Sequence, residues 1–145
     1  MKKILIPTDG SEYAGKAIEK AAEIAEAFDS EVELLYVSDI RSTLMIVPEF
    51  QMYAGLDDEK LDVEIDKKAS QVLEEGKKKL GREKVTTNIL EGYPADEIIH
   101  YVQENDFDLL VMGSHGIGSG IKRYLLGSVT NQVIQHVNIP TLIIR

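Results

Sequence analysis

Cysteine is absent from the 145-residue chain, which excludes disulfides and thiolate metal centres. Basic residues are outnumbered: 16 Lys and Arg against 25 Asp and Glu leave a formal charge of −9. That balance opposes binding to nucleic-acid backbones and to anionic membrane surfaces. It leaves room for a small phosphate ligand, because backbone N–H groups can hold one locally. No apolar run approaches the roughly 18 residues that a membrane span requires. The opening MKKILIPTDG turns polar after a short apolar run, with neither the long apolar segment nor the cleavage site of a secretory leader. These absences predict a cytoplasmic protein. The chain also lacks internal repeats, low-complexity tracts and linkers, so one domain over residues 1–145 with a single core is expected.

What is present alternates regularly. KILIP, EVELLYV, KVTTNILEG, DLLVMG and PTLIIR are short apolar runs of the kind that form buried strands. Between them the helical period recurs. It runs through Ala14, Ala17, Ile18, Ala21, Ala25 and Phe28, and then through Leu61, Ile65, Ala69, Val72, Gly76 and Leu80. Ala95, Ile98, Ile99 and Val102 follow a proline at a helix start. Val129, Val133, Ile134 and Val137 mark the last helix. Residues 38–58 have no clean period and read as a long connection. Five strands alternating with four helices predict an open five-stranded parallel sheet with helices on both faces, a Rossmann-like three-layer α/β fold. Its crossovers are expected to be right-handed. Ligands of such sheets bind beyond the carboxyl ends of the strands, where strand order reverses.

Two strand ends have unusual chemistry. The first strand ends in PTDG, residues 7–10, and the fourth in MGSHG, residues 112–116. If these strands are neighbours, the two loops flank one crevice. Gly113 and Gly116 permit close backbone approach and positive φ. Gly127 and Ser128 stand just before the last helix. The N–H groups of Ser128, Val129 and Thr130 would project from its start toward an anion, aided by the helix dipole. The hydroxyls of Ser128 and Thr130 are expected to add hydrogen bonds or to face Mg²⁺.

Familiar nucleotide and nucleophile motifs are missing. There is no Gly-x-x-x-x-Gly-Lys-Ser/Thr loop, no Gly-x-Gly-x-x-Gly after the first strand and no Gly-x-Ser-x-Gly elbow. The first strand ends with one aspartate, not an acidic cluster. Asp9 and Glu12 have the spacing of a capping box, so Asp9 is also placed to cap the first helix. No second metal ligand stands near His100 or His136, which read as structural or surface groups. The run EEGKKKLGREK reads as a solvated face of mixed sign.

With ILIPTDGSEYAGKAIEKA, LLYV, GYPADEII, DLLVMGSHG, LLGSVTNQVI and IPTLII in place, nearly the whole chain resembles the universal stress proteins of the ATP-binding type. Gly113, Gly116 and Gly127-Ser128 match that family's nucleotide motif. The spacer between them, Ile117 to Leu126, is ten residues, one more than the family's. The resemblance implies ATP or another adenine nucleotide, with or without Mg²⁺. Pro7, Thr8 and Asp9 would flank it, with Val37 beside the adenine. Met112, Gly113, Ser114, His115 and Gly116 would line the ribose and phosphates. Gly127, Ser128, Val129 and Thr130 would hold the phosphates. Asp9 fits there only beside ribose hydroxyls or a bound cation, since a bare carboxylate repels phosphate. The family also implies a homodimer through the last strand, where TLIIR is an apolar edge.

Three functions are compatible with these residues. The first is a nucleotide-dependent regulatory module in a stress response, acting on a protein partner. The second is a slow Mg²⁺-dependent ATPase or phosphotransferase, for which no clear base is in sight. The third is a dimerisation module independent of nucleotide. The segment IGSGIKRY, which carries the extra residue, is expected to be mobile, with Lys122 and Arg123 in reach of an outer phosphate or simply solvated. His115, between two motif glycines, is expected to touch the ligand.

Overall fold

The computed structural model describes residues 1–39, 58–116 and 125–145. Among these residues nine elements follow in the expected alternation. They are β1 (Lys3–Pro7), α1 (Glu12–Phe28), β2 (Glu31–Ser38), α2 (Asp58–Leu80), β3 (Val85–Glu91), α3 (Pro94–Glu104), β4 (Leu109–Gly113), α4 (Ser128–His136) and β5 (Thr141–Ile144). The connection read over 38–58 and the segment IGSGIKRY fall almost wholly outside the described residues, as do Lys122 and Arg123.

The sheet order is β3-β2-β1-β4-β5, with every pair parallel. The order therefore reverses between β1 and β4. Crossovers of a single hand then put α1 and α2 on one face and α3 and α4 on the other. The cores follow this division. Ile4, Ile6, Val32, Leu34 and Val111 pack with Ala17, Ile18, Ala21, Ala69 and Leu73. Leu5, Leu35, Leu110 and Met112 pack with Ala95, Ile98, Val102 and Val133. A strand buried on both faces needs apolar residues on both, which is why these runs are apolar almost throughout, Glu33 on β2 excepted.

Two positions expected on buried helix faces are not buried. Phe28 is 60% exposed, because α1 ends there and Asp29, at φ 51°, turns the chain away. Ile134 is 36% exposed, since the short α4 turns only Thr130 and Val133 fully inward. Leu73, absent from the expected face of α2, is buried. The side chain of Leu61 lies outside the described residues.

At the amino ends of the strands a buried carboxylate interrupts the apolar pattern. Glu33 on β2 pairs with Lys3 at 3.1 Å and accepts a hydrogen bond from the Tyr101 hydroxyl, which in turn accepts one from Asn88 at 3.0 Å. Lys3 also sits 4.5 Å from the centre of the Phe107 ring. Burial, and then the bond to Glu33, raise the Tyr101 phenol above its ordinary range. Burying Glu33 is tolerable only with this full set of partners.

The same end holds β1 to β4. The Asp108 carboxylate accepts the N–H groups of Lys2 and Lys3, both at 2.8 Å. These bonds favour the ionised form and lower its pKa from the ordinary 3.8. A lowered folded-state pKa means stability that is present above pH 3.8 and lost as pH falls through the folded value. Asp108→Asn is therefore expected to lower the urea midpoint at pH 7, with the gap from wild type closing below that ordinary value. Urea titrations across pH 2–7 test this.

Candidate functional site

β1 and β4 are paired at Ile4↔Leu109 and Leu5↔Leu110. Beyond that register the chains leave the sheet as two loops facing each other at its carboxyl edge. On the β1 side, the Thr8 N–H still bonds the Leu35 carbonyl at 2.8 Å, so Thr8 is held against β2 and is buried. Its hydroxyl accepts the Gly10 N–H at 3.3 Å, and Asp9 Oδ1 accepts the Ser11 N–H at 2.9 Å. Gly10 has φ +81°, which a side chain rarely adopts, and Val72 of α2 lies 3.1 Å from where its Cβ would be.

The cap of α1 is Ser11, not Asp9: its Oγ accepts the Ala14 N–H at 3.2 Å. Glu12 does not complete a capping box and pairs instead with Lys16 at 3.2 Å. Asp9 closes an Asx turn two residues early, which leaves its second oxygen directed at the other loop. A Cβ built on Gly116 would stand 2.7 Å from Asp9 Oδ2. The Asp9 charge also reaches Tyr36, whose phenol is raised first by burial and then by this carboxylate.

On the β4 side, contact with neighbouring backbone dictates glycine. A Cβ on Gly113 would meet the Tyr13 carbonyl carbon at 2.7 Å and the Ala14 nitrogen at 2.9 Å. One on Gly127 would meet His115 Cα and the Ser114 oxygen, both at 3.2 Å. Positive φ, expected at Gly113 and Gly116, occurs at neither. Close backbone approach selects glycine at 113; at 116 a Cβ would meet only the end of the Asp9 side chain. Ser114 is fully buried, its N–H bonded to the Ile144 carbonyl and its own carbonyl to the Gly127 N–H, each at 2.7 Å. These two bonds place the 113–116 turn directly before α4.

Among the described residues no side chain caps the start of α4. Its first intrahelical bond runs from the Asn131 N–H to the Gly127 carbonyl at 2.9 Å, so the N–H groups of Ser128, Val129 and Thr130 lie ahead of the ladder. The Gly116 nitrogen is 3.7 Å from the position of a Gly127 Cβ, beside them. Backbone donors with a helix dipole behind them form an anion-accepting cradle.

Several side chains are engaged elsewhere. The Thr130 hydroxyl, expected to face a ligand or a cation, bonds the Gly113 carbonyl at 2.9 Å and is buried. Met112 is buried in the core, so only its backbone borders the crevice. His115 is 5% exposed; its ring packs on Tyr13 with centroids 5.0 Å apart, and its Nδ1 is 2.8 Å from Ser114 Oγ. Ser128 remains exposed, and Pro7 ends β1 at the mouth. Val37, half-buried near the end of β2, packs with the α3 and α4 face. Tyr13 and Tyr36 were not legible as site residues; Tyr13 falls on the helical period only as a polar-face position.

An open parallel α/β protein with a backbone-lined crevice at its point of strand reversal is thus defined. A model described as the universal stress protein family matches residues 1–145, and the chain belongs to that family. It is 37% identical over 150 residues to universal stress protein MJ0531 of Methanocaldococcus jannaschii, covering 99% of this chain and 82% of that one. Among solved structures, MJ0577 of the same organism matches with a TM-score of 0.79 and 36% identity, covering 99% of this chain and 94% of that one. A universal stress protein in complex with cAMP shares the fold, with a TM-score of 0.71 and 23% identity over 99% of this chain and 97% of its own.

The loop contacts separate fold from site. Gly113→Ala drives a methyl into backbone and is expected to cost about 1–3 kcal/mol, read as a lower urea midpoint. Gly116→Ala meets only the movable end of Asp9 and is expected to stay within about 0.5 kcal/mol of wild type. At the helix start, Ser11→Ala is expected to cost about 1 kcal/mol, and the urea midpoint is again the measure.

Proposed function

We propose that this universal stress protein binds an adenine nucleotide, ATP foremost, in the crevice between β1 and β4, and acts as a nucleotide-dependent regulatory module of the cytoplasm. The observation that carries the reading is the convergence of the Asp9 loop and the Gly113–Gly116 turn in front of the start of α4. Gly116, Ser128, Val129 and Thr130 offer backbone donors for phosphate oxygens, with the Ser128 hydroxyl alongside; the Gly127 N–H is taken by the Ser114 carbonyl, so Gly127 would serve by its lack of a side chain. Asp9, whose carboxylate would repel phosphate, suits ribose hydroxyls or a hydrated Mg²⁺ beside the phosphates. Pro7, Thr8 and Val37 would border the base, and Met112, Gly113 and His115 would line the crevice through their backbone, while Ser114, its N–H and carbonyl both bonded, would hold the turn in place. The cAMP-bound relative of this fold supports an adenine nucleotide as the ligand class.

The same reading includes a homodimer through β5, in a single domain over 1–145. The two free sheet edges differ. On β3 the Asn88 side chain accepts the Ile89 N–H at 2.9 Å and blunts that edge. β5 is half-buried and apolar along Thr141–Ile144, with no such cap among the described residues.

The test is to purify the protein without added nucleotide, denature it and identify what is released, then titrate ATP, AMP and adenosine calorimetrically. A released adenine nucleotide, or binding of ATP, is expected. Absence of both would overturn the reading. ADP production with Mg²⁺ above an Asp9→Ala control would move it toward a slow ATPase.

A further inference from the structure

The ring of His115 is buried, yet its contacts are few and specific. Nδ1 meets Ser114 Oγ at 2.8 Å, the ring packs against Tyr13 at a tilt of 49°, and Nε2 is buried without a hydrogen-bond partner among the described residues. Tyr13 itself stands in the first turn of α1, two residues after the Ser11 cap. Its backbone and Cβ are the atoms that a side chain on Gly113 would strike, at 2.7 and 2.9 Å. Lys16 covers its ring at 5.3 Å. One residue of α1 therefore touches both the first and the third positions of the 113–116 turn. That turn is also held by the Ser114 N–H bond to the Ile144 carbonyl and by the Thr130 hydroxyl bond to the Gly113 carbonyl, and it passes its position to α4 through the bond from Gly127 to the Ser114 carbonyl.

We infer that Tyr13 and His115 are positioning residues that brace the 113–116 turn from α1, setting the backbone donors of Gly116 and of the α4 start at the spacing an anion requires. Neither ring needs to touch the ligand. Among the described residues Nε2 is unpaired, and the hold of the imidazole on the turn comes from Ser114 and from packing against the Tyr13 ring. Removing the Tyr13 ring leaves a buried imidazole free to change rotamer, and the turn follows it. The inference rests on the nucleotide reading for its functional consequence, but the brace itself can be measured without ligand.

The experiment compares wild type with Tyr13→Leu, Tyr13→Phe and His115→Asn in the full chain. Amide hydrogen exchange is followed at Ser114 and Gly127, and calorimetry is run with ATP and with adenosine. In Tyr13→Leu, exchange at both amides is expected to quicken about tenfold, while amides of β1 and β2 keep their rates. ATP affinity is expected to fall about tenfold, with adenosine affinity unchanged. Tyr13→Phe keeps the ring and is expected to restore both; His115→Asn is expected to resemble Tyr13→Leu. Unchanged exchange in both Tyr13→Leu and His115→Asn would overturn the brace. So would equal losses for ATP and adenosine accompanied by faster exchange throughout the sheet, which is general loosening. If wild type binds no adenine compound, the nucleotide reading fails, and exchange alone decides the brace.

Discussion

The carboxyl end of β4 runs so close to the first turn of α1 that no side chain fits between them. Gly113 sits within van der Waals distance of the Tyr13 and Ala14 backbone, and the rest of the crevice is arranged around that contact. It fixes the depth at which β4 leaves the sheet. It brings the 113–116 turn opposite Asp9, and through the Ser114 carbonyl it delivers α4 with its start toward the opening. Two backbones in contact cannot adjust as two side chains can, so the geometry is rigid where an anion would need it to be.

At the opposite end of the strands the demands differ. There the chain is held by charge: Asp108 takes the N–H groups of Lys2 and Lys3 at the entry to β1, and Glu33 is satisfied by Lys3 and Tyr101. These groups keep β1 in register between β2 and β4. One edge of the sheet is thus polar and closed, and the other is glycine-lined and open. The parallel arrangement makes such a division possible, because every strand ends at the same edge.

Much of the fold was legible because buried parallel strands require nearly continuous apolar runs, and amphipathic helices repeat every third or fourth residue. The exceptions have local causes. Phe28 and Ile134 fit the helical period but lie where a helix ends or is too short to be covered. Asp9 and Glu12 have capping-box spacing, yet Ser11 lies nearer the true start of α1 and takes the cap. Thr130 reads as a ligand hydroxyl until the Gly113 carbonyl is found beside it.

By itself the sequence determined the element order, the two-faced core and the positions of the glycines, since each is a matter of residue type and spacing along the chain. It also carried the family, through motifs that run nearly end to end. Only the tertiary structure decided that β1 and β4 are neighbours, that close backbone contact and not positive φ demands glycine at 113, and that Tyr13 packs on His115. Those facts depend on which residues meet across 100 positions of chain. Spacing along a strand or helix cannot report them, because the distance that matters is measured through space.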